Sequence, residues 1–189
     1  MSIPRTLTEK LERAEVLDRP ADLVADAVGR IVAGPRARAL LGGRWLGHPI
    51  HPLLVTVPIG TWTGALVLDV TAKDAAAARH LVGVGVLSAI PTMVAGTSDW
   101  SQTTGAPRRV GLVHAASNAV ALAFFGGSWV ARRRSRALGV ALALAGSGAL
   151  SVGGYLGGHL SYVEGVGVEP ADDATGRRAA TNGEPDATP

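Results

Sequence analysis

The stretch "LGHPIHPLLVTVPIG", residues 46–60, sets His48 and His51, each followed by a proline, at the mouth of an apolar run. Proline inside a helix removes a donor and clashes with the preceding turn, but a first turn has no such bond to lose. The motif therefore marks a helix start. The kind of helix is decided by the run itself, because residues 52–70 carry no charge before Asp69. Residues 81–98, 110–131 and 137–158 carry none at all. Each stretch is about 18–22 residues long, enough for a helix to cross roughly 30 Å of hydrocarbon. Helices of a soluble bundle keep a polar face; these do not. The connections at 71–80, 99–109 and 132–136 are short, which makes successive helices antiparallel neighbours. The chain reads as all-α, an integral membrane antiparallel four-helix bundle.

Outward from this core the composition changes. The segment 1–45 is polar and charged, with no secretory signal at its start. In "ADLVADAVGRIV", Leu23, Val24, Ala27, Val28 and Ile31 recur at helical spacing opposite Asp22, Asp26 and Arg30. This predicts one or two short surface helices, packed on the bundle or lying at the interface. From residue 166 the chain has almost no apolar content and is expected to be disordered. Three regions result: 1–45 surface helices, 46–165 a four-span membrane domain, 166–189 a tail. The 189 residues carry 18 Lys and Arg against 15 Asp and Glu, and the arginines sit in short clusters between spans, which argues against a nucleic-acid face. The chain has no cysteine, so disulfides, thiolate zinc sites and cysteine-ligated iron–sulfur clusters are excluded.

Following the antiparallel order places the candidate site. His48 and His51 open span one, Asp99 closes span two, His114 lies in the second turn of span three, and His159 comes directly after "GGYLGG" at the end of span four. All share one membrane face; His80 alone falls at the other. Ionisable groups at membrane depth are costly and mark function, so His48, His51, His114, His159 and Asp99 form a candidate metal or cofactor set. Asn118 shares a helix face with His114, as Ser151 and Tyr155 do with His159, which suits ring orientation. Arg108 and Arg109, just outside span three, are placed to pair with carboxylates or propionates. Gly60/Gly64, Gly153/Gly157 and Gly154/Gly158 suit close helix contact, and Trp45 and Trp100 suit the headgroup region.

"WLGHPIHPLLVTVPIG", "GTSDW", "RRVGLVHAASN" and "GGYLGGHLSYVEGVGV" resemble a bacterial membrane-protein family, domain-of-unknown-function family 2231, over roughly residues 40–168. The resemblance implies membrane residence and a four-helix core. Similar proteins often continue into a Rieske-type iron–sulfur domain, which implies that the membrane module works beside a redox centre. This chain cannot ligate such a cluster by thiolates, so electron transfer would need a separate iron–sulfur partner.

Two readings of function stay open from the residues. One is a redox module holding b-type haem, or iron, zinc or copper, at the histidine face. The other is a non-enzymatic membrane scaffold or anchor whose histidines are structural. A transporter fits poorly unless the protein forms a homo-oligomer. No nucleophile with a base, phosphate loop or carboxylate pair is evident. Arg36, Arg38, Arg44, Arg108 and Arg109 at the histidine face balance Lys73, Arg79, Arg132, Arg133, Arg134 and Arg136 opposite, so basic residues do not decide orientation. The charged N-terminal segment favours both termini, and the histidine face, on the cytoplasmic side of the inner membrane.

Overall fold

A computed structural model describes residues 3–32 and 34–167. The described residues form eight α-helices and no strand: α1 Ile3–Glu12, α2 Asp18–Ile31, α3 Pro35–Leu41, α4 His51–Leu54, α5 Thr56–Thr71, α6 Ala75–Trp100, α7 Ala106–Ala131 and α8 Arg136–Tyr162. Short 3₁₀ turns at Glu15–Leu17 and Arg44–Leu46 link the early helices. The tail expected to be disordered lies, beyond residue 167, outside the described residues.

Four helical segments are long and apolar enough to cross a membrane: His51–Thr71, Ala75–Trp100, Ala106–Ala131 and Arg136–Tyr162. They overrun the charge-free stretches because helix termini are made by polar caps. Asp74 accepts from the Ala77 amide at 2.9 Å, Ser135 accepts from the Leu138 amide at 3.3 Å, and Pro107 sits in the first turn of α7. The single turn α4 is set off from α5 at Val55, three residues before Pro58, which cannot donate to the Leu54 carbonyl.

The bundle closes as a ring in which α5 packs on α6, α6 on α7, α7 on α8 and α8 on α5. Its core holds few large side chains: Trp62, Val82 and Phe125 among alanines, with Gly83, Gly85, Gly139 and Gly146 buried at helix crossings. The outward faces carry exposed Val67, Val84, Leu87, Val120 and Leu144. This inside-out distribution reflects the solvent: lipid tails are as apolar as leucine, so helices associate through small residues that permit close packing.

The N-terminal helices lie across the end of the bundle where the two histidine motifs are, with α1 against α7 and α2 against α6 and α7. The docking face of α2 differs from the one its apolar periodicity indicates. Ala21 and Ala25 are buried against Trp100, whereas Leu23, Val24 and Ile31 are exposed. Small side chains let α2 approach until Asp18 and Asp22, on the same face, reach α7 arginines. Trp100 is accordingly buried, over Gly111, where a headgroup position was expected; Trp45 is exposed.

Candidate functional site

The site is built from one local device used twice. His51, at the start of α4, has Nδ1 2.9 Å from the Thr92 carbonyl of α6. A carbonyl only accepts, so the ring proton sits on Nδ1 and Nε2 keeps its lone pair. The imidazole reaches this interior carbonyl because Gly96 lies one turn further along α6, and a Cβ there would lie 2.7 Å from ring atoms of His51. His114, on α7, repeats the arrangement on α8. Its Nδ1 donates to the Gly153 carbonyl at 2.8 Å, and a Cβ on Gly157 would lie 2.8 Å from its Cε1. Asn118 places its amide nitrogen 3.1 Å from Nε2 of His114.

Both rings line one partly open cavity of about 430 Å³ between the four spans. Trp62, stacked on Phe125 with centroids 4.0 Å apart and planes 5° apart, forms its inner end. Asp99, at the end of α6, lines the outer end beside Gly167. Its carboxylate makes no hydrogen bond or ion pair with a described residue. Most of the remaining wall is apolar, including Val55, Ile59, Ala89 and Leu150. The arrangement presents two oriented imidazoles to a largely apolar chamber with a carboxylate at its mouth. His51, His114 and Asp99 of the sequence-derived set meet here.

The other residues of that set sit elsewhere. His48 is exposed in the loop ahead of α4. His159 turns away from the cavity and donates through Nε2 to Glu12 at 2.8 Å, with Glu164 at 3.8 Å. Arg109 grips Asp18 with two bonds of 2.5 and 2.7 Å and donates to the Glu12 carbonyl at 2.7 Å. Arg108 donates to Asp22 at 2.6 Å and to the Ser101 carbonyl at 3.2 Å. These groups therefore fasten α1 and α2 across the bundle end, the two arginines pairing with carboxylates of α2 and Arg108 Nε keeping no partner among the described residues. The Arg109 guanidinium holds the Asp18 carboxyl below its usual value through hydrogen bonding. Ser151 donates to the Ser147 carbonyl at 2.8 Å, and Tyr155 is half exposed, so neither orients His159. Of the glycine pairs, Gly153 and Gly157 receive Asn118 and His114, while Gly154 and Gly158 line the cavity.

Sequence reasoning missed the cluster at the opposite end. Asp69 and Arg132 form a two-bond ion pair at 2.8 and 2.5 Å, both side chains 2 % exposed. Arg132 also donates to Ser128 Oγ at 3.1 Å, and Arg136 donates to the Asp69 carbonyl at 2.8 Å. The signal was present: a lone acid inside an otherwise charge-free span requires a cationic partner.

The chain belongs to the family described as predicted membrane protein (DUF2231), which matches residues 47–170. No curated protein and no solved structure matches it.

Proposed function

We propose that this membrane protein holds a metal centre between His51 and His114, and that b-type haem is the form that centre takes. One observation carries the reading. Both imidazoles are fixed by Nδ1–H donation to a main-chain carbonyl through a glycine gap, the outer contact that sets tautomer and orientation in metal-bound histidines and makes Nε2 the ligand atom, which on His114 the Asn118 amide must release. The donor set bears on the choice of centre. Two imidazoles and one carboxylate would serve zinc or non-haem iron with open positions, whereas the two imidazoles alone complete the ligand set of a haem iron. Haem iron brings its equatorial ligands with it and asks the protein for axial ones. A bound haem would supply one-electron chemistry. The chain's part is to orient Nε2, to exclude water with the Trp62–Phe125 stack, and to cover the mouth with residues near Asp99.

On this reading the protein is a redox-associated module of the inner membrane. Both termini and the histidine face lie in the cytoplasm, within reach of a separate iron–sulfur partner. A second reading draws on the same bonds: they tie α4 to α6 and α7 to α8, as a scaffold or anchor would need without any ligand.

Detergent-purified protein separates the two. The expected result is a haem absorbance spectrum, or its appearance on titration with ferric haem, that is lost in His51→Ala and His114→Ala and kept in His48→Ala. Wild-type protein without bound metal that takes up neither haem nor copper(II) would leave the scaffold reading. A reporter active only outside the cytoplasm, fused to residue 189, tests the orientation; strong activity overturns it.

A further inference from the structure

We infer that α5–α6 and α7–α8 are two copies of one hairpin set about a two-fold axis along the bundle, and that the ligand lies on this axis with one imidazole from each copy. The second half of the inference rests on the reading of the site given above. From α4 through α5, and from α7 to the residue that follows it, the correspondences hold one spacing: His51 with His114, Trp62 with Phe125, and Asp69 with Arg132, each 63 positions apart. Along α6 and α8 the buried positions Ala78, Val82, Gly85 and Thr92 correspond to buried Gly139, Ala143, Gly146 and Gly153, each 61 apart.

The contacts repeat as well as the positions. His51 donates to the Thr92 carbonyl over Gly96, and His114 donates to the Gly153 carbonyl over Gly157. Trp62 lies where a Cβ on Gly85 would be, and Phe125 stands 3.1 Å from a Cβ on Gly146. Helices that merely shared a small-residue pattern would not reproduce ring-over-glycine contacts at matched heights. The ring of helix contacts is also preserved, since exchanging the hairpins turns the α6–α7 contact into the α8–α5 contact.

Two side-chain pairs meet across the axis, a third pair flanks it with both rings drawn aside, and their chemistry differs with height. The stacked rings at the centre are nearly alike. The far pair is opposite in charge, so joining two identical hairpins there would bury like charges. Asp69 and Arg132 therefore select the partner hairpin of the same chain over a second copy of either. The near pair is identical, one imidazole from each hairpin, which presents the same donor to a ligand from both sides. Asn118, whose counterpart in the first hairpin is Val55, touches one imidazole only.

Two experiments on the full chain test the two halves separately. Phe125→Trp alone puts two indoles on the axis and lowers the thermal midpoint. Adding Trp62→Phe exchanges the rings, with Gly85 and Gly146 in place to receive either, and returns the midpoint to within about 4 °C of wild type. A double variant no more stable than Phe125→Trp overturns the duplication, with no ligand involved. For the ligand, ferric haem is titrated into Gly96→Ala and Gly157→Ala. Each pushes its imidazole off the carbonyl and weakens binding about tenfold or more, to a similar extent and with a changed visible spectrum. Gly148→Ala, where a Cβ meets nothing within 4 Å, leaves binding unchanged. His51→Ala and His114→Ala, which remove atoms instead of adding them, give the same equality. A loss confined to one hairpin overturns the axial placement while leaving a histidine site standing. Wild-type protein that takes up neither haem nor copper(II) removes the site reading and the axial ligand together, and the ring-exchange result stands on its own.

Discussion

The two ends of the bundle use the same pair of spans, α4–α5 and α7, to opposite effect. At one end the Arg132 and Asp69 side chains meet across the interior, with the Arg132 chain filling the space that Gly139 leaves open. At the other, glycines serve to draw rings aside: Gly96 and Gly157 let His51 and His114 turn onto neighbouring helices, and about 430 Å³ remains between the four spans. Near the middle, Trp62 and Phe125 divide the filled half from the open half. The chain can fill its interior where it uses long or flat side chains. The cavity at the histidine end therefore comes from where those side chains are directed, and a shortage of apolar volume does not explain it.

The contrast breaks most readily at the closed end. Arg132→Ala removes both hydrogen bonds to the buried Asp69 carboxylate and leaves it only Arg136, at 3.8 Å, and removing one member of a buried pair costs about 3–5 kcal/mol. The loss should appear as a lowered unfolding free energy in detergent; a loss near that of an exposed pair, below about 1 kcal/mol, would erase the difference between the ends. Next in size is Gly85→Ala. Its Cβ would enter the space of the Trp62 indole, and overfilling of this kind costs about 1–3 kcal/mol. Gly148→Ala is its control.

The open end depends on the N-terminal cover, which responds to pH. Hydrogen bonding from Arg109 holds the Asp18 carboxyl below the usual carboxylate range. The carboxylate form is favoured in the folded state, so this contribution is present above the unfolded value and is lost as pH falls through the depressed folded value. Amide exchange in residues 3–31 should rise in acid before exchange in α7 and α8 does. Asp18→Asn should abolish that early acid step, and an unchanged profile would mean that the pair does not hold the cover. The smallest effect belongs to the lipid face. Leu87→Ala, at a 59 % exposed position, should change stability by no more than about 0.5 kcal/mol, since lipid replaces the lost contacts.

The four spans and their antiparallel order were legible because uninterrupted apolar runs and short links have one solution in a bilayer. The proline pair Pro49 and Pro52 marked where the first span begins, whereas the caps Asp74 and Ser135 that start α6 and α8 were not read from the sequence. The histidine face was legible to the same extent, since chain direction alone decides which span ends share a side. Direction does not decide which way a ring turns. Whether His159 faces the cavity or Glu12, and whether Arg109 meets a ligand or Asp18, depends on the rotation of each helix and on an arm distant in sequence, joined to Arg109 at a separation of 91 positions. In α2, apolar spacing identified a greasy face without saying whether lipid or protein covers it, and the face that docks is the one carrying Ala21 and Ala25. The repeat was hidden for a related reason. His51 matches His114, but Asp69 answers to Arg132 and Thr92 to Gly153. The hairpins share the places where a ring meets a glycine, and such a contact between distant residues exists only once the helices have packed.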